Sequence, residues 1–338
     1  MTRKITLLLT MLALCMPPAL AYAAEKKPQK TASSKTKASK KVVAKKKTKT
    51  TVAKKNEASG RIISTIRSNS AVATASPSVF KDDGTGLKLA SSKAMIVNQD
   101  SGEILFAKGT DIAAPIASLT KLMTAMVVLD AQLDMEEKLR VTRDDIDTLK
   151  GTGSRMPIGA SLTRAEMLQL ALMASENRAA SALGRHYPGG VDAFVAAMNA
   201  KALQLGMLHS RFADPTGLNS ANVSTAEDLV KMVRAAYQYP EIRHVSTSTS
   251  YAVPVNGARA PLQYVNSNVL VRNSDWVIGL SKTGYINEAG RCLVMQAQVG
   301  GQPLIIVLLD SFSKNARVGD AQKIRKWIES SNSHRNAS

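Results

Sequence analysis

The sequence predicts an α/β (α+β) domain, with one sheet drawn from both ends of the folded region and helices packed around it. Three observations predict this. Two β-prone runs, Ala94–Asn98 and Glu103–Lys108, open the patterned region. A long helical block follows. Three apolar or β-prone runs then close the chain, at Trp276–Leu280, Cys292–Val299 and Leu304–Leu309. Strands at both ends share one core only if the chain brings its ends together. No internal repeat is visible.

Taken in order, residues 1–23 read as a secretory signal. Arg3 and Lys4 supply the charge, and Ile5–Met16 form an apolar stretch too short to span a bilayer. Ala21-Tyr22-Ala23 supplies the small residues a signal peptidase needs. Export to the periplasm, or to the cell-wall side of the inner membrane, is the expected destination. Cleavage after Ala23 would remove Cys15 and leave Cys292 as the one cysteine, so no intrachain disulfide is expected. Cys292 sits in an apolar run, which suits a buried structural thiol.

Residues 24–89 form a Lys-rich tail and linker. Residues 25–55 hold 13 Lys and one acid, and the first 24 residues add two positive charges. Of the net charge of +19, only +5 is left for the remaining 283 residues. The basicity therefore belongs to the tail. With no aromatics up to about Asn56, the tail cannot bury enough apolar surface to offset its ordering entropy, so disorder is expected. Export argues against a nucleic-acid partner. Peripheral contact with an anionic wall or membrane surface, or a simple solvated spacer, are the two readings left for it.

The catalytic domain is placed at 90–330, with a disordered C-terminus at 331–338. Asp100-Ser-Gly102 between the first two runs predicts a hairpin. Residues 117–130 contain no Gly or Pro and are apolar nearly all round, which predicts a buried helix. Thr163-Arg-Ala-Glu166 and Ser224-Thr-Ala-Glu227 read as capping boxes ahead of two more helices. Gly300-Gly-Gln predicts a closing hairpin. A last helix near 316–329 carries Ala321, Ile324 and Ile328 on one face, a stripe short enough to favour packing on the sheet over membrane anchoring.

Several chemistries are excluded by pattern. The four His stand outside metal-ligand spacing, so neither a metal nor another cofactor is expected. There is no G-x-S-x-G turn and no phosphate loop. Ser118-Leu-Thr-Lys121, however, places a hydroxyl and an amine three residues apart on one helix face. A Lys can deprotonate a Ser only when neutral, and burial lowers its pKa toward that state. The pattern S-x-x-K also occurs at Ser34, Ser78 and Ser311, so spacing does not identify it; burial of the helix does. Ser175-Glu-Asn177 lies between two helical stretches, where helix capping would be the ordinary reading. Lys282-Thr-Gly284 occurs once, at the end of an apolar strand, where Gly lets a substrate lie close to the backbone.

In this order, with gaps of 57 and 107 residues, S-x-x-K, S-x-N and K-T-G are the signature set of penicillin-binding proteins and class A β-lactamases. The chain resembles that superfamily from about Ala90 to Trp327, and within it the low-molecular-weight D-Ala-D-Ala peptidases. Pro115–Lys121, Asp214–Leu218, Ser224–Asp228 and Lys282–Leu293 carry the likeness. Ser175–Ala180 with His186–Gly190 is similar to the penicillin-binding protein 7 type, the DD-endopeptidases. Arg178 departs from the Asp many relatives have after the motif Asn.

The resemblance implies a β-lactamase/transpeptidase-like fold: a five-stranded antiparallel sheet flanked by helices, with an all-helical subregion. It implies Ser118 as nucleophile, Lys121 as its base and Ser175 as proton relay to the leaving amine. Asn177 would hold the substrate backbone. Lys282 would lower the pKa of Lys121 and, with Thr283 and Gly284, receive the substrate. The N–H groups of Ser118 and Tyr285 would form the oxyanion hole. The expected partners are peptidoglycan peptide stems, with β-lactams as covalent inhibitors.

Competing readings remain at this point. A β-lactamase needs a deacylating Glu, and between Asn177 and Lys282 only Glu227 and Glu241 occur, neither in an E-x-x-L-N segment. A non-catalytic sensor would tolerate broken motifs, and all three are intact. A D-Ala-D-Ala carboxypeptidase would be expected to continue into a second, β-rich domain. The chain instead ends about 50 residues past K-T-G, which favours an endopeptidase.

Overall fold

The computed structural model describes residues 86–254 and 260–335. The predicted signal sequence and all but the last four residues of the predicted tail lie outside them.

The chain opens with the hairpin β1 (Lys93–Asn98) and β2 (Ile104–Lys108). Asn98 Oδ1 accepts from the N–H groups of Asp100 and Ser101, and Gly102 turns at φ 76°. This is the side-chain-mimicked turn that Asn favours. The short β3 (Ala114–Pro115) leads to a 3-10 turn at Ala117–Leu119 and then to α1 (Thr120–Asp130). The small pair β4 (Lys138–Arg140) and β5 (Ser161–Thr163) precedes α2 (Arg164–Met173), α3 (Asn177–Arg185) and α4 (Gly190–Gln204). After β6 (Val223–Ser224) come α5 (Ala226–Ala236) and α6 (Pro240–Thr247), then β7 (Ser250–Val253) and β8 (Leu262–Val265). The strands β9 (Val277–Ile286), β10 (Gly290–Val299) and β11 (Gln302–Ser311) and the helix α7 (Lys314–Arg335) complete the fold.

The main sheet has five strands in the order β2-β1-β11-β10-β9, with every neighbouring pair antiparallel. The first and last strands in sequence, β1 and β11, thus lie side by side, with Met95 opposite Val307. Alternate residues of β11 serve two cores: Ile305, Val307 and Leu309 face one, and Leu304, Ile306 and Leu308 the other. The first core holds α1, α2 and α5; the second is closed by Ala321, Ile324 and Ile328 of α7. Coverage on both faces is why these strands read as continuous apolar runs rather than alternating ones. Gly300 and Gly301, both at positive φ, make the two-residue turn between β10 and β11.

Five sequence expectations are corrected. The helix placed at 117–130 begins at Thr120, because Ala117 at φ 48° is incompatible with an α-helical first turn. The second helix cap is Thr225 with Asp228, not Ser224 with Glu227: Thr225 Oγ1 accepts the Asp228 N–H, while Ser224 belongs to β6. Lys282-Thr-Gly284 lies inside β9 rather than at a strand end. Helix α7 continues through Arg335, past the boundary set at 330. Leu87 and Leu89, placed in the linker, are buried in the second core. Among the described residues, no helix is long and apolar enough to cross a membrane.

Candidate active site

The nucleophile segment is pressed between two glycines. A Cβ on Gly217 would lie 2.0 Å from the Ala117 carbonyl oxygen and 2.9 Å from the Ser118 nitrogen. A Cβ on Gly284 would lie 3.1 Å from that same nitrogen. Only bare backbone from both sides lets β9 and the 214–218 loop close on residues 116–118. Ala117 is held there in the left-handed region, a strained state for a non-glycine.

Lys121, on the first turn of α1, is completely buried. Its Nζ donates to three acceptors: Ser118 Oγ at 2.9 Å, Asn177 Oδ1 at 2.8 Å and the Thr216 carbonyl at 2.6 Å. Burial lowers its pKa from 10.5 to about 8, against the opposing pull of Asp214 and Glu176. The Thr216 carbonyl is aimed by Asp214. That carboxylate accepts from the N–H groups of Thr216, Gly217 and Asn219 and from the Thr216 hydroxyl, winding the loop around itself.

Ser175 sits just past the end of α2 at φ 61°, where a helix usually places glycine. Its hydroxyl accepts from Lys282 Nζ at 2.8 Å. Lys282 is buried on β9, and its Nζ also donates to the Thr283 carbonyl at 2.9 Å. Burial, then the charges of Lys121 and Arg317, push its pKa well below the ordinary lysine value. The site therefore holds two Ser–Lys couples, each with a buried amine. For Lys121 burial is the leading cause of the lowered pKa, as the apolar surroundings of its helix predict.

Ser118, Ser175, Asn177, Thr283, Gly284 and Tyr285 line one cleft of about 290 Å³. All eight residues singled out from the sequence thus converge, Lys121 and Lys282 behind its wall. Sequence reasoning missed the opposite side, formed by Arg291, Lys314 and Arg317. Arg317 is almost fully buried; Nη1 donates to the Cys292 carbonyl, Nε has no partner, and burial lowers its pKa to about 10. Arg291 stacks over the Tyr285 ring at 3.7 Å. Thr283 Oγ1 donates to Ser267 Oγ at 2.8 Å, a contact with no sequence signal. Arg178 donates to the Met156 carbonyl instead of entering the cleft. Cys292 is buried, and burial raises its thiol pKa to about 11, consistent with an inert packing residue. Neither Glu227 nor Glu241 lines the cleft; Glu227 accepts from Thr110.

A family described as D-alanyl-D-alanine carboxypeptidase matches residues 79–313. A D-alanyl-D-alanine endopeptidase of Pseudomonas aeruginosa is 45% identical over 242 residues, covering 72% of this chain and 78% of that protein. One from Escherichia coli K12 is 46% identical with the same coverage. The D-alanyl-D-alanine carboxypeptidase DacF of Bacillus subtilis is 30% identical over 271 residues, covering 77% of this chain and 69% of that protein. Among solved structures, the Streptomyces K15 DD-transpeptidase superposes with a TM-score of 0.66 at 29% identity, covering 71% of this chain and 97% of that one.

Proposed function

We propose, for a chain that belongs to the D-alanyl-D-alanine carboxypeptidase family and is a serine DD-peptidase acting on peptidoglycan, that its main activity is endopeptidic. It would cut the D-Ala-to-diamino-acid crosslink through an acyl-enzyme on Ser118. The observation that carries this is the pairing of Ser118 with Lys121 and of Ser175 with Lys282 in one cleft.

The hydrogen bonds at Lys121 dictate its role. A neutral amine has two N–H groups and one lone pair. With Asn177 Oδ1 and the Thr216 carbonyl each taking one N–H, the lone pair falls to the Ser118 hydroxyl. Ser118 then loses its proton to Lys121 as Oγ attacks the carbonyl after D-Ala. The N–H groups of Ser118 and Tyr285 receive the developing oxyanion; donors of this kind are worth about 3–4 kcal/mol each. Ser175, hydrogen-bonded to Lys282, relays to the leaving amine the proton that Lys121 took from Ser118, which leaves both Ser175 and Lys121 as they began, and water later releases the acyl group. Asn177 keeps an N–H for the substrate backbone.

The leaving side of the cleft favours the endopeptidase. Arg291, Lys314 and Arg317 gather positive charge for the carboxylate beside the leaving amine, which a terminal D-Ala and a diamino acid both carry, so the space on that side is what separates the two activities. That side opens to solvent past the half-exposed Tyr285 and the exposed Lys314, leaving room for a branched diamino acid. The relatives named endopeptidase at 45–46% identity point the same way. Residues 1–23 act in this reading as a signal for export to the periplasm, and the Lys-rich tail as a contact for anionic wall or membrane surfaces. A β-lactam would occupy the cleft and stay as an acyl adduct.

Digestion of purified sacculi with mass-spectrometric readout tests the assignment. Loss of crosslinked dimers is expected; loss of terminal D-Ala with dimers intact would make it a carboxypeptidase. Ser118→Ala should abolish both activities and labelling by fluorescent penicillin. Labelling that survives would remove Ser118 as nucleophile.

A further inference from the structure

The loop at 147–156 carries a hydrogen-bond chain into the site. The Asp147 carboxylate accepts from the N–H groups of Leu149 (2.8 Å), Lys150 (2.9 Å) and Thr152 (2.8 Å), and from the Thr152 hydroxyl at 2.6 Å. A hydroxyl has one hydrogen. With that hydrogen on Asp147, Thr152 Oγ1 meets Asn177 only as an acceptor, and Asn177 Nδ2 donates to it at 3.0 Å. The amide is planar, so fixing Nδ2 on Thr152 fixes Oδ1 on Lys121, 2.8 Å away.

We propose that Thr152, held by Asp147, is a positioning residue that sets the orientation of the Asn177 amide and so keeps the Lys121 lone pair on Ser118.

The need for it arises in the reactive state. Ammonium attracts Oδ1 unaided. A neutral amine can instead accept an N–H from a flipped amide, and its lone pair is then taken from Ser118. Thr152 opposes that flip, since a flipped amide sets Oδ1 against the Thr152 oxygen. Although Thr152 is exposed, its loop is tied down. Ser154 donates to Glu176, Arg178 to the Met156 carbonyl, and Lys150 pairs with Glu288 on the turn after β9. The charged groups acting around Lys121 are Asp214 from the loop before β6, Glu176 ahead of α3 and Lys282 from β9.

The inference rests on the roles proposed above for Lys121 and Asn177. The test is the second-order acylation constant with fluorescent penicillin, measured from pH 6 to pH 10 on the full chain. Thr152→Val should lower it about tenfold at the plateau, the scale of one lost orienting hydrogen bond. It should also move the acidic limb to lower pH, because the flipped amide stabilises the neutral amine. Thr152→Ser should restore both, and Thr152→Ala should behave as Val does, which guards against a folding defect peculiar to one variant. Val and Ala variants within twofold of wild type overturn the proposal. So does a loss with the limb unmoved or shifted upward, or a Ser variant that fails to restore. Penicillin labelling of Ser118→Ala would sink the underlying site assignment instead, a separable result.

Discussion

The acylation rate should follow the protonation of Lys121, and the structure sets where. Burial brings its pKa from 10.5 to about 8. The active form is the neutral one, so the rate rises with pH and levels off above the pKa. For a pKa near 8, the neutral fraction is about 1% at pH 6, about 9% at pH 7 and about 90% at pH 9. The acylation constant should therefore rise about tenfold from pH 6 to pH 7, about fivefold to pH 8, and less than twofold to pH 9. An unperturbed lysine would hold only ~0.03% neutral amine at pH 7, so burial supplies a factor of about 300. Quenched-flow acylation by fluorescent penicillin, with circular dichroism confirming the fold at each pH, measures this. A rate that keeps climbing tenfold per unit beyond pH 9 would refute the argument. A flat profile down to pH 6 would refute it equally. The same shift has a stability sign: the unfolded chain binds one more proton than the folded one between about pH 8 and 10.5, so this group makes the fold more stable as pH rises through that window.

Two further substitutions probe the architecture. Lys282→Met should lower acylation about a hundredfold or more by taking the N–H from Ser175; a loss of less than about threefold would remove that hydrogen bond from the mechanism. Gly217→Ala should destabilise the fold by about 3 kcal/mol or more, combining a positive φ of 81° with a Cβ 2.0 Å from the Ala117 oxygen. A melting temperature unchanged by that substitution would show that the loop can retreat from Ala117.

How much of this was legible in the sequence depends on the range over which each signal acts. Strands and hairpin turns near 98–104 and 300–302 were legible because Asn and Gly encode local backbone angles. The Ser118–Lys121 contact was legible because helical spacing is local. The left-handed Ala117 was not, since tertiary packing against Gly217 and Gly284 imposes it against the residue's own preference. Arg317 was hidden for a similar reason: on α7 it reads as one more surface cation, and only the β10–β11–α7 return turns it toward the cleft. Lys314 shows how spacing misleads. It belongs to a stray S-x-x-K match at Ser311, yet it reaches the site as part of the cationic wall. The Thr152–Asn177 bond spans 25 residues and leaves no periodicity to read.

The adjacency of β1 and β11 constrains how the chain can be made. Their register joins Met95 to Val307, more than two hundred positions apart, and β11 is the middle strand of five. Until the ribosome has delivered that strand, β1–β2 and β9–β10 are two separate ribbons with their inner edges open. Topology of this kind folds slowly, because a long loop must close before any long-range pairing is gained. A copy truncated ahead of Gln302 would have no centre to its sheet at all.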